Sequence, residues 1–128
     1  MQKKNPKAKT KSWYKKKIDE VFSQLIRKER PACQRCGTPN NLQHSHIRGR
    51  AYMATRWDRE NAFSLCYGCH LFWWHRADCV EVEEWMFTKI NKDQYNRIRE
   101  KSLSYCKFSM SDLKEMLEGF KTELKQLS

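Results

Sequence analysis

The chain has 128 residues, with 26 Lys plus Arg against 15 Asp plus Glu and a net charge of +11. That length suits one domain with an appendage, and a 39% hydrophobic content is enough to bury a core. No run of about 18 apolar residues occurs and no apolar stretch follows the lysine-rich start, so neither a membrane span nor a secretory signal is expected, and a cytoplasmic protein is.

Residues 1–17 hold eight lysines and no acid. Residues 1–11 read as a disordered basic tail, and Lys15, Lys16 and Lys17, in the first turns of the following helix, are candidate DNA contacts. Residues 27–59 add eight basic against two acidic side chains, whereas the C-terminal half is balanced. A lysine tail alone is as often a solvated end, but two basic blocks point to a polyanion. If all eight lysines met phosphates, the salt slope would be roughly −7. A membrane surface is the poorer match, because no basic helix presents a large apolar face.

The first helix is predicted from a Ser12 cap to about residue 30, with Ile18, Val21, Phe22, Leu25 and Ile26 at helical spacing and Pro31 ending it. A compact core is expected over residues 31–78, with short strands near 41–48 and 61–65 and a helix starting around Tyr67–Gly68. Residues 79–128 read as a helical extension with helices over 80–90, 93–103 and 111–127. Ser111 is the expected cap of the last one, beside Asp112.

Cys33-Gln-Arg-Cys36 and Cys66-Tyr-Gly-Cys69 are two C-x-x-C knuckles separated by 29 residues. A two-residue gap lets both thiolates of a knuckle address one ion, and two knuckles complete a tetrahedral S4 site for Zn²⁺. Such a site is closed, so the zinc is structural, and its binding energy of roughly 10 kcal/mol or more is also folding energy. Gly37 and Gly68 would supply the backbone freedom of the turns. Cys79 and Cys106 lack knuckle partners and read as buried thiols.

The tetrad would draw His44-Ser45-His46-Ile47 towards His70, which directly follows Cys69. With Asn61 five residues before Cys66, the order C-x-x-C, His-Ile, Asn, C-x-x-C-His resembles a zinc-bearing HNH nuclease of the ββα-metal fold, over about residues 33–75. The wider layout, including Arg48-Gly49-Arg50, the run from Arg56 to Asn61 and the helical extension, is similar to phage recombination nucleases of the NinG/Rap type. The resemblance implies an α+β fold built on a ββα-metal core, and an endonuclease acting on DNA in phage recombination, branched or junction DNA included. By the same resemblance His46 matches the general base, His70 a ligand of a catalytic Mg²⁺ or Mn²⁺, and Asn61 the residue that braces the loop and orients the base.

The family usually places Asp or His just before the base, where this chain has Ser45. Strand alternation puts His44 on the face of His46, so His44 is the candidate for the missing ligand, and the base could be either His44 or His46. His75 would face away from His70 on a regular helix. Arg48, Arg50, Arg56 and Arg59 are candidate phosphate contacts. Tyr52, Trp57, Trp73 and Trp74 are candidates for stacking on bases, with core packing the better account of at least two. The extension offers a surface on which two copies could pair as a homodimer. The rival reading is a non-catalytic zinc module that binds nucleic acid with the same basic surface.

Overall fold

Thr10, not Ser12, opens the first helix. Its hydroxyl accepts from the Trp13 amide at 3.1 Å, and helix α1 runs Lys11–Glu29 in the computed structural model, which describes residues 8–128. Most of the expected basic tail thus lies outside the described residues, while residues 8–10 are exposed and irregular. Ile18, Phe22, Leu25 and Ile26 are fully buried along one stripe of α1. Burial of each such side chain is worth about 1.5–3 kcal/mol. The Arg30 amide closes the helix on the Ile26 carbonyl, one residue before Pro31.

Strands β1 (Leu42–His46) and β2 (Ala62–Cys66) form an antiparallel pair in which Leu42 faces Cys66 and His46 faces Ala62. Residues 47–61 connect them through two short 3₁₀ turns, Met53–Thr55 and Arg59–Asn61. A helical segment then opens at Tyr67 and continues as a wide π turn over Cys69–Trp74. Helices α2 (Cys79–Lys89), α3 (Lys92–Leu103) and α4 (Met110–Gln126) complete the chain.

Each C-terminal helix is capped by its own side chain. Asp78 accepts from the Val80 amide, Asn91 from Gln94 and Ser109 from Asp112. The cap of α4 is Ser109 and not Ser111, because the Asp112 carboxylate three residues on accepts from the Ser109 amide in return and closes a capping box.

Two apolar clusters occupy the two sides of the strand pair. Ile18, Phe22, Leu25 and Ile26 of α1 meet Trp57, Ala62 and Leu113 and Leu117 of α4. Phe63 and Leu65 of β2 meet Cys69, Met86, Ile90 and Ile98 on the other side. The segments expected as helix, core and extension therefore share their cores, and the protein is a small α+β fold. No helix among the described residues is long and apolar enough to cross a membrane.

Candidate active site

The ligating atoms of Cys33, Cys36, Cys66 and Cys69 all lie within 4.8 Å of one another; no other set of three or more His, Cys, Asp or Glu among the described residues does this. Cys36 Sγ and Cys66 Sγ are 3.7 Å apart. A tetrahedron of about 2.3 Å zinc–sulfur bonds has edges of about 3.8 Å, so the quartet could hold a metal ion such as zinc. Gly37 takes φ +82°, the left-handed turn that closes the first knuckle, whereas Gly68 is helical at φ −64° and needs no special freedom. Gln34 ties that knuckle to β2, its amide donating to the Ser64 carbonyl and its side chain accepting from the Ser64 amide. Arg35 donates to Cys69 Sγ at 3.4 Å. Cys79 is exposed and Cys106 half-buried, so neither is the buried thiol expected of it.

Asn61 is fully buried and spends its whole amide on backbone. Its Oδ1 accepts from the Arg48 amide at 2.7 Å, and its Nδ2 donates to the carbonyls of Arg48 and Thr55 at 2.9 and 3.0 Å. It braces both ends of the loop after β1, as expected, but does not touch His46. The His46 ring is oriented instead by the loop backbone: its Nε2 lies 3.0 Å from the Arg56 carbonyl. A carbonyl can only accept, so Nε2 carries the proton and Nδ1 keeps the lone pair. That tautomer suits a proton acceptor. Asn61 thus holds the loop and leaves the ring of His46 to the Arg56 carbonyl.

His70 is set by Gln43, whose Oε1 lies 2.7 Å from His70 Nδ1. Nδ1 then carries the proton and His70 Nε2 keeps its lone pair, 3.0 Å from His75 Nε2. On a regular α-helix residues five apart point about 140° away from each other. Here the His75 amide reaches back five residues to the His70 carbonyl, the hydrogen bond of a π turn, and the wider turn returns His75 to the His70 face. His75 therefore joins the site, contrary to the regular-helix expectation. Two imidazole nitrogens 3.0 Å apart span the edge of an octahedral site with bonds of about 2.1 Å.

His44 stacks on His46 with ring centroids 4.1 Å apart and meets Phe22 edge-on at 5.1 Å. Its Nε2 is buried without a partner. It does not share a 4.8 Å ligand set with His70 and His75, so the ligand expected from it is not in place. Ser45 is fully buried with its hydroxyl unpartnered, and it does not line the histidine cleft.

His44, His46, His70 and His75 line one cleft of about 440 Å³ together with Asp19, Ser23, Gly49 and Arg50. Burial, then the His46 ring beside it, push His44 down to about 3. Burial and the adjacent His75 push His70 down to about 4. Burial also holds His46 below the usual imidazole value, in part offset by its hydrogen bond to the Arg56 carbonyl. At neutral pH these rings are uncharged, the form that accepts a proton or ligates a cation.

The four arginines divide. Arg56 grips Asp19 bidentately, at 3.0 and 2.6 Å, and is largely buried. Arg59 pairs with Glu29 of α1 and Glu123 of α4, at 2.8 and 3.0 Å. Both forks are taken by carboxylates and serve the fold. Arg48 donates to Ser102 Oγ and lies over the Tyr52 ring, while Arg50 lines the cleft with a side chain 67% exposed. Lys17 pairs with Glu20; Lys15 stands one turn before Asp19, and Lys16 is exposed. Of the four candidate stacking residues, Trp57 is buried, Trp74 packs on the second cluster, and Trp73 is covered by Arg35.

Asp19, Gln43 and His75 were not visible as site residues in the sequence. Only for His75 was there a signal, its nearness to His70. Compared with family models, with curated proteins and with solved structures, the chain matches none.

Proposed function

We propose that the protein is a metal-dependent endonuclease that hydrolyses phosphodiester bonds in DNA. The observation that carries this reading is a single cleft in which a proton acceptor with a fixed tautomer, His46, lies with the paired Nε2 atoms of His70 and His75. A module that only binds DNA has no use for that combination.

His46 Nδ1 takes the proton of a water that attacks phosphorus, and the Arg56 carbonyl holds the ring as the charge develops on it. His70 and His75 are the residues that fit a divalent cation. Such an ion, when bound, neutralises charge on the phosphate and stabilises the leaving oxygen. Gln43 fixes the His70 tautomer so that its Nε2 faces the pair. Nitrogen donors favour Mn²⁺ or a later transition ion over Mg²⁺, which prefers oxygen. Arg50 reaches into the cleft for the phosphate. The cysteine quartet, with zinc as the ion expected there, ties the loop before β1 to the end of β2 and the start of the π turn. The core is read as ββα-metal, and phage recombination and branched DNA enter through the resemblance of the motifs alone.

Nicking of supercoiled plasmid in Mn²⁺ tests the reading. His46→Ala should bind DNA as the wild type does and cut roughly 10²-fold more slowly or worse. Undiminished cutting by His46→Ala removes the base assignment. A wild type that binds and never cuts, with any divalent ion, returns the protein to the rival class of non-catalytic zinc modules.

A further inference from the structure

Lys15, Asp19, Ser23 and Arg27 recur every four residues and form one row along α1. Asp19 and Ser23 line the histidine cleft; Arg27 lines a second groove, of about 760 Å³, with Asn41, Gln43 and Tyr67. Gln43 joins the two, since it borders the groove and holds His70 of the cleft. Cleft and groove therefore adjoin along roughly 12 Å of helix, from Asp19 to Arg27.

The groove has the chemistry of a nucleotide site. The Arg27 Nε is held on the Ser23 carbonyl at 3.2 Å, which leaves its two Nη groups for an anion. Tyr67 is 48% exposed and Phe72 56% exposed, and neither belongs to an apolar cluster. They meet edge-to-face at 5.7 Å, and the Arg76 guanidinium lies 5.1 Å from the Phe72 centroid. That is an aromatic surface set among cations with no role in either core.

We propose that this groove is a subsite for one unpaired nucleotide beside the scissile phosphate, its base stacked on Tyr67 and its phosphate held by Arg27. The subsite rests on the nuclease reading for its place beside the bond that is cut. Bases within a duplex are covered on both faces by their neighbours, so stacking on a side chain selects bases that have left the stack. DNA with a single-stranded arm or gap at the cut is the substrate class that follows.

Binding measured by fluorescence anisotropy without divalent ions separates recognition from cutting. Tyr67 is tied to Asn41 through its backbone amide, so its side chain can be replaced without losing that bond. Tyr67→Ala should bind a short oligo(dT) roughly 10-fold more weakly than wild type, Tyr67→Phe should bind it as wild type does, and a blunt duplex should be bound alike by all three. Arg27→Ala should lower the slope of log affinity against log salt for oligo(dT) by about 0.7. Equal oligo(dT) affinity in Tyr67→Ala, or equal losses on oligo(dT) and duplex, overturns the subsite. If the wild type binds in this way and cuts nothing, the nuclease reading falls while the nucleotide site stands. If it cuts while Tyr67→Ala binds like wild type, the reverse holds.

Discussion

Asp19 shows how one residue of α1 reaches the chemistry of a strand that it does not belong to. Its carboxylate accepts from Arg56 twice and from Trp57 Nε1 at 2.8 Å, and the Arg56 carbonyl receives His46. Burial alone would raise its pKa, but the Arg56 and Trp57 donors outweigh it and hold the carboxyl below its usual value. The stability this pairing gives is present above the ordinary carboxylate range and is lost as pH falls through the lowered folded value. Asp19→Asn should slow cleavage roughly 10- to 100-fold with an unchanged KM for DNA, and Asp19→Glu should recover part of the rate. Steady-state kinetics check this; an unchanged kcat shows that Arg56 holds its carbonyl in place unaided. None of this was legible beforehand. Arg56 reads as a phosphate contact because it stands among basic residues in the stretch after His46, and its real partner lies 37 positions away.

At the scale of elements, the sequence carried what has a local period or spacing. The knuckles, the apolar stripe of α1 and the three C-terminal helices follow from side chains three or four apart, and all are present. Caps shifted by two residues, from Ser12 to Thr10 and from Ser111 to Ser109, because the reciprocal bond from Asp112 and the hydroxyl of Thr10 decide the first turn. The π turn had no such sign. It amounts to one extra residue within a helix, accommodated where Cys69 must reach the sulfur quartet while Trp74 packs beside Phe63. Deleting the exposed Phe72 should therefore restore a regular α-helix with the two histidines four apart, still on one face. We expect that variant to keep Mn²⁺-dependent nicking within about tenfold of wild type. Inserting an alanine after Phe72 should turn the histidines apart and abolish nicking. Loss of nicking in the deletion variant would mean that the wide turn is itself required.

The whole molecule is held by two apolar clusters on either side of a two-stranded sheet, and by Arg59, which bridges Glu29 and Glu123 where α1 meets α4. The overall α+β layout was legible because alternating and helical patterns succeed one another along the chain. How closely α4 covers α1 was not, since an apolar stripe says that it is covered and not by what. The same assembly leaves the cleft with an unusual balance of charge. Its His44, His46 and His70 imidazoles are held neutral by burial, and its carboxylate, Asp19, is already matched by Arg56. A divalent ion arriving among such donors keeps its full charge, where a carboxylate cage would cancel it. Ion and polyanion should then favour one another by the same factor, of about fivefold or more. Calorimetry on the non-cutting His46→Ala protein, run with Mn²⁺ first and with DNA first, should give equal gains in either order, and His75→Ala should remove both. Under the proposed nuclease reading the cation would serve as an electrostatic latch, arming the site chiefly when DNA is at hand.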